Sequence, residues 1–156
     1  MKRNKGFSLI ELLIVVAIIL IIAAIAIPNL LRSRIAANEA SAVGSLRTIN
    51  IAEITYNVTY PNVGFTCTLG NLGGSGAPSS TAAGLIDANL AGGAKSGYSF
   101  GLQGCGSGTP IVTYQSTATP TSPGTTGQRY FCSDSSGVIK YDATSTANCL
   151  TNGNPI

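Results

Sequence analysis

Phe7-Ser8-Leu9-Ile10-Glu11 opens an apolar run that continues without another charge from Leu12 to Ile27, directly after the basic leader Met1-Lys2-Arg3-Asn4-Lys5-Gly6. As an α-helix, Phe7 to Leu31 would be about 37 Å long at 1.5 Å per residue, enough to cross a hydrocarbon core of roughly 30 Å. Ile, Leu and Val dominate, and Ala17, Ala23, Ala24 and Ala26 supply small positions where helices can approach closely. Pro28 is expected to break or kink this helix one turn before Arg32, because it lacks an N–H and its ring clashes with the preceding turn.

Beyond the proline the composition changes while the helical period persists. Ile35, Ala42, Ile49 and Tyr56 recur every seven residues, with Val43 and Leu46 beside them, which predicts an amphipathic helix from Asn29 to about Tyr56. Arg32, Arg34, Asn38, Glu39, Ser45, Arg47, Asn50 and Glu53 fill most of the other positions and are expected on the face that meets solvent or neighbours. Gly44 weakens the helix by about 1 kcal/mol relative to Ala without ending it. Pro61 ends the pattern. Leu69 to Ser80 reads as a connecting loop, and Ser80 to Leu90 as room for a short helix burying Leu85, Ile86 and Leu90. Short β-type runs follow at Tyr98–Leu102, Ile111–Ser116, Gln128–Cys132 and Val138–Tyr141. Ser133 to Gly137 is expected to turn a hairpin, and Thr119 to Gly127, with Pro120 and Pro123, to form an exposed loop.

The organisation is α+β, a long N-terminal helix packed on a small antiparallel sheet. It divides into a leader (1–6), a transmembrane helix (7–31), an amphipathic helix that packs on the head (32–60), a loop region with room for a short helix (61–97), and a sheet ending in a disulfide-closed loop (98–156). At 156 residues the chain has room for one modest globular head besides the helix.

The net charge of +3 is located entirely in the leader: Lys2, Arg3 and Lys5 supply it, and the other six basic residues balance six acidic ones. The basic excess therefore reads as membrane topology, with Lys and Arg kept on the cytoplasmic side, and gives no support for nucleic-acid binding. Cys67, Cys105, Cys132 and Cys149 all follow the apolar segment and so face the oxidising side, where disulfides form. Three pairings are available; Cys67 with Cys105 and Cys132 with Cys149 joins near sequence neighbours and is the preferred one. A zinc site would want CxxC or Cys/His spacing, and the chain has no histidine.

Three ordinary readings of the N-terminus compete. A secretory signal would be cut after a small-residue site such as Ala24-Ile25-Ala26, yet the run is long, contains Glu11 and passes straight into further helix. An uncleaved anchor explains length and orientation and leaves the glutamate unexplained. Ser8-x-x-Glu11 is also a capping-box pattern, in which Glu11 reaches back to a backbone N–H. That cap starts a helix but does not explain a charge kept where burial in a bilayer costs about 2.5 kcal/mol or more. Arg32 lies about 30 Å further along an ideal helix, so the nearest cation for Glu11 is the α-amino group that cleavage after Gly6 would create on Phe7, in this chain or in an adjacent copy.

Lys5-Gly6-Phe7-Ser8-Leu9-Ile10-Glu11-Leu12-Leu13 resembles the leader and processing site of type IV pilins and the related type II secretion pseudopilins. The likeness extends to about Tyr56, including Pro28, and weakly into Gly84 to Leu102. It implies a pilin-like fold and a prepilin peptidase that cuts between Gly6 and Phe7 and methylates the Phe7 amine. It also implies that Glu11 pairs with a neighbour's N-terminal amine, and that an inner-membrane platform assembles the subunits. The implied life cycle is storage in the inner membrane, among lipid, followed by self-assembly into an extracellular filament. A pseudopilin, building a short periplasmic piston, is the near alternative; a membrane-tethered adhesive or binding module is the other. Many pilins carry a glycine that helps unwind the helix before the proline, and this chain has only alanines there.

Catalysis finds no support, since without histidine there is no Ser-His or Cys-His arrangement, and no P-loop or GxSxG motif occurs. No cofactor is expected, and no metal: Asp134 and Asp142 read better as solvated turn residues than as a calcium loop, which wants six to eight oxygens. The sequon Asn57-Val58-Thr59 reads as a chance match. Tyr56, Tyr60, Phe65, Tyr98, Phe100, Tyr114, Tyr130 and Phe131 are explained by packing more economically than by an electron path.

Overall fold

A computed structural model describes residues 7–156. The leader charges and Gly6 lie outside the described residues. The first element, α1 (Leu9–Thr59), is a single helical assignment that runs through both Pro28 and Gly44. The helix does not break at Pro28: it forgoes the hydrogen bond that the missing N–H would make and continues. The chain divides into two compact units, one ending at Arg34 and the other comprising Ile35–Ile156.

In the first unit the side chains from Phe7 to Arg34 are exposed, with only Ala23 partly covered. Among the described residues one helix is long and apolar enough to cross a membrane, and none of its apolar window is buried within the protein.

The second unit packs Ile35–Thr59 of α1 against a six-stranded antiparallel sheet whose spatial order follows the chain: β1 (Ala94–Lys95), β2 (Tyr98–Gln103), β3 (Gln115–Pro120), β4 (Tyr130–Asp134), β5 (Lys140–Asp142) and β6 (Asn154–Pro155). Ala42, Leu46, Ile49, Ala52 and Tyr56 form the helical side of one core. Tyr98, Phe100, Ala118 and Phe131 supply the sheet side, and Leu69, Leu72, Ala83, Ile86 and Leu90 close it from the intervening segment. Tyr98 and Phe100 are both inward because strand side chains alternate faces with period two. Their partners across the ladder are Pro120 and Ala118, and Ala118 in turn faces Phe131.

Three short helices complete the unit: α2 (Leu69–Leu72), α3 (Ala88–Ala91) and α4 (Thr146–Asn152). Asp87 caps α3 by accepting from Leu90 N–H at 3.1 Å, and Ser145 caps α4 by accepting from Asn148 N–H at 3.1 Å.

Several expected element boundaries move, each for a hydrogen-bonding reason. The helix anticipated over Ser80–Leu90 shrinks to α3, because Leu85 and Ile86 donate instead to the Leu72 carbonyl at 2.7 and 3.2 Å. Leu69–Leu72, read as loop, is helical, and so is Thr146–Asn152 in the expected C-terminal loop. The strand expected over Ile111–Ser116 begins at Gln115, since Ile111 bonds with Val63 and Phe65. β3 then continues through Thr119 and Pro120 into the expected loop; these two pair with β2 only, so the prolyl nitrogen interrupts no ladder with β4. Gln128 and Arg129 stay outside β4 because their N–H groups are bound by a helix carboxylate described below.

Candidate functional site

At the start of α1, Ser8 N–H donates to Glu11 Oε2 at 2.9 Å, and Leu12 N–H donates to the Ser8 carbonyl at 3.3 Å. The carboxylate arm of a capping box is therefore present, and it satisfies one of the donors that a helix start leaves unpaired. Among the described residues the ion pairs are Lys95–Asp87, Arg129–Glu39 and Lys140–Asp134, all in the second unit. Glu11 takes part in none of them. Around it Phe7 is 81% exposed, and Leu9, Ile10, Leu12 and Leu13 are all turned outward. The first unit thus presents one carboxylate in a continuous apolar surface, suited to a non-aqueous environment or to contact with other helices.

The later half of α1 uses its polar residues differently from expectation. Glu39, Ser45, Asn50 and Glu53, predicted on an outward face, are buried, while Ile51, Ile54 and Val58 are exposed. The reason is that Glu39, Asn50 and Glu53 each hydrogen-bond to residues beyond the helix. Glu39 Oε1 accepts from the N–H groups of Gln128 and Arg129 at 2.9 and 3.1 Å, and Oε2 takes the Arg129 guanidinium at 2.8 Å. That guanidinium also lies over the rings of Phe131 and Tyr141, at 5.4 and 5.2 Å. Asn50 donates to Ser133 Oγ at 2.8 Å while its Oδ1 accepts from Tyr114 and Ser116. Glu53 Oε2 accepts from Thr66 N–H at 3.0 Å. Asn38 donates to the Thr126 carbonyl at 2.9 Å, and Tyr56 donates to that of Ser80 at 2.6 Å.

The disulfides join Cys67 to Cys105 and Cys132 to Cys149. The second is fully buried and ties β4 to α4, whereas Cys67 of the first lies at the surface. Asp134 and Asp142, weighed as calcium ligands, are engaged locally. Asp142 accepts from Thr144, through both its hydroxyl and its N–H, from Ser145 N–H and from Asn148 Nδ2; these bonds, led by the Thr144 hydroxyl, draw its carboxyl down to about 2. Asp134 is held below the usual carboxylate range mainly by Ser136. The aromatics form separate pairs, Tyr56–Tyr60 at 4.9 Å, Phe65–Tyr114 at 4.8 Å and Tyr98–Phe131 at 5.9 Å between ring centroids. Asn57 of the sequon sits on the last turns of α1, partly covered.

Residues 1–27 match the family described as the prokaryotic N-terminal methylation motif. The chain is similar to the type IV wide pilus major component PilA4 of Thermus thermophilus, 64% identical over 39 residues that make up 25% of this chain and 30% of that protein. It is also similar to the type IV major pilin protein PilA of Myxococcus xanthus, 46% identical over 54 residues, 35% of this chain and 24% of that one. The chain thus spans less than a third of the length of either relative. No solved structure matches it. The family match takes in the leader and the first part of the helix that bears Glu11.

Proposed function

We propose that this chain is the structural subunit of a type IV pilus-like filament, held in the inner membrane by α1 and polymerised through it. The observation that carries the reading is the conjunction at the N-terminus: the methylation motif matches residues 1–27, and the helix it begins exposes an apolar surface around a carboxylate with no ion-pair partner among the described residues.

In this reading a prepilin peptidase cuts between Gly6 and Phe7 and methylates the Phe7 amine. The cut removes Lys2, Arg3 and Lys5, which otherwise hold the end in the cytoplasm, and generates a cation. A buried carboxylate without a counter-charge is costly, and an incoming subunit's amine recovers part of that cost while fixing register. The apolar side chains from Leu9 to Leu31 then pack against other copies, with burial worth about 25 cal/mol per Å2 before the loss of lipid contact is deducted. An inner-membrane platform supplies the work of assembly. The role is structural and uses no cofactor.

Glu11→Gln tests this. Glutamine keeps an oxygen for the Ser8 N–H, so the subunit should insert and fold, but the yield of filaments sheared from cells should collapse. Filament yield equal to the wild type would reduce Glu11 to a helix cap. Loss of enzyme secretion on deletion, with filaments intact, would point to the pseudopilin alternative.

A further inference from the structure

Directly after α1 the chain makes a clasp. Val63 and Gly64 N–H groups return to the Tyr60 carbonyl at 2.9 and 3.0 Å. The strand-like stretch beyond them bonds to the segment before β3, Phe65 N–H to the Ile111 carbonyl at 2.9 Å and Ile111 N–H to the Val63 carbonyl at 2.8 Å. Gly64 is required at this crossing, because it has φ +84° and a Cβ there would overlap the Ile111 backbone. The Phe65 ring packs at a tilt against Tyr114, and Cys67 is joined to Cys105. The tie from the clasp to α1 through Glu53 is the hydrogen bond from Thr66 N–H.

Glu53 is badly placed to carry a charge. It is 0% exposed, and its Oε1 has no hydrogen-bond partner among the described residues. The titratable groups facing it are Tyr56 on the same helix and Tyr114 from the segment before β3. Both hydroxyl protons are already committed, that of Tyr56 to the Ser80 carbonyl and that of Tyr114 to Asn50 Oδ1. Neither Lys nor Arg pairs with Glu53 in any of the ion pairs. An ionised Glu53 therefore has a single backbone N–H to serve two oxygens, whereas a proton on Oε1 removes the buried charge and leaves Oε2 accepting from Thr66.

We infer that Glu53 is a proton-operated latch on this clasp, closed when the carboxyl is protonated and released when it ionises. The helix cannot yield to let the charge reach water, because Ile49, Ala52 and Tyr56 fix it in the core on either side of Glu53. The clasp can: it belongs to no named strand or helix between Tyr60 and Thr68. The exposed disulfide keeps the opened segment tethered, so the motion is reversible. Burial, which pushes the Glu53 carboxyl up to about 7 against the opposing Thr66 bond, puts the transition near neutrality.

Hydrogen exchange on the full-length chain in detergent micelles tests the latch, with intrinsic exchange rates corrected at each pH. Between about pH 5.5 and about pH 8.5, peptides covering Asn62–Thr68 should lose protection at least roughly tenfold through a local opening that low denaturant does not promote, whereas peptides covering β4 exchange through global unfolding, which denaturant does promote. In Glu53→Gln the protection of the clasp should no longer depend on pH. Clasp exchange with the same denaturant dependence as β4, or the same pH-dependent loss in Glu53→Gln, overturns the latch. Should that variant fold poorly, the 13C resonance of the Glu53 carboxyl in the unaltered chain decides: titration near neutrality supports the latch, and titration at the ordinary carboxylate value, near 4.5, overturns it.

Discussion

The two parts of α1 treat carboxylates and hydrocarbon in opposite ways. From Phe7 to Arg34 the apolar side chains face outward, and Glu11, the one carboxylate, is engaged by the Ser8 backbone at the helix start. From Ile35 to Thr59 the carboxylates Glu39 and Glu53 point inward and are fully or almost fully buried. The difference teaches that the solvent of each stretch, rather than the helix itself, decides which side chains are hidden. The later half resolves its polar groups inside its own head. The earlier half leaves its single carboxylate to be resolved by something else, which on our proposal is a neighbouring copy.

That contrast can be broken first in the head. Phe131→Ala removes a fully buried ring from β4 and should cost about 3–5 kcal/mol, read as a loss of stability in thermal or denaturant unfolding. Glu39→Ala leaves two backbone N–H groups and the Arg129 guanidinium without their acceptor; it should cost about 2–4 kcal/mol by the same measurement and free Gln128–Arg129 for hydrogen exchange. An unaffected Glu39→Ala head would mean that its inward carboxylates are incidental.

Glu53 sharpens the comparison through pH. Its carboxyl is raised in the folded state from 4.5 to about 7, so across that window the folded chain holds a proton that the unfolded chain has released. Stability therefore falls as pH rises from about 4.5 to about 7 and is flat above, by on the order of 3 kcal/mol in all. Asp87, Asp134 and Asp142 are shifted the other way, so their contributions grow only below that window and are complete before it. In Glu53→Gln the decline in melting temperature between about pH 5 and about pH 8 should disappear.

The smallest expected effect concerns the outward face of the later half. Ile54→Ser alters a residue that is 56% exposed, and the head should keep its stability to within about 0.5 kcal/mol. A large loss there would show that this face already has a partner within the subunit.

Periodic signals were readable from sequence. Ile35, Ala42, Ile49 and Tyr56, spaced by seven, are all buried in the structure, because a core-facing stripe is a property of the helix alone. The polar anchors were not readable. Glu39 bonds to residues 89 and 90 positions away and Asn50 to one 83 positions away, and no local pattern distinguishes a carboxylate that binds a distant loop from one that meets water. A clue existed in Ile51, Ile54 and Val58, which compete with Glu53 for the helix surface. Strand limits slipped for a similar reason: Ile111 has the β-branched character of a strand, but its partners are Val63 and Phe65. The short helix α4 has a local signal in its Ser145-x-x-Asn148 cap, which competes in the sequence with the expectation of a disulfide-closed loop at Cys149. At the N-terminus, the motif and the apolar run are local features, and there the sequence was explicit.

The central claim is that cutting makes the cation that Glu11 lacks. Intact mass and N-terminal peptide mass of the filament fraction test it most directly. The account predicts a mature chain that starts with N-methyl-Phe7; a chain that still begins at Met1, or one that begins at Ile27, contradicts it.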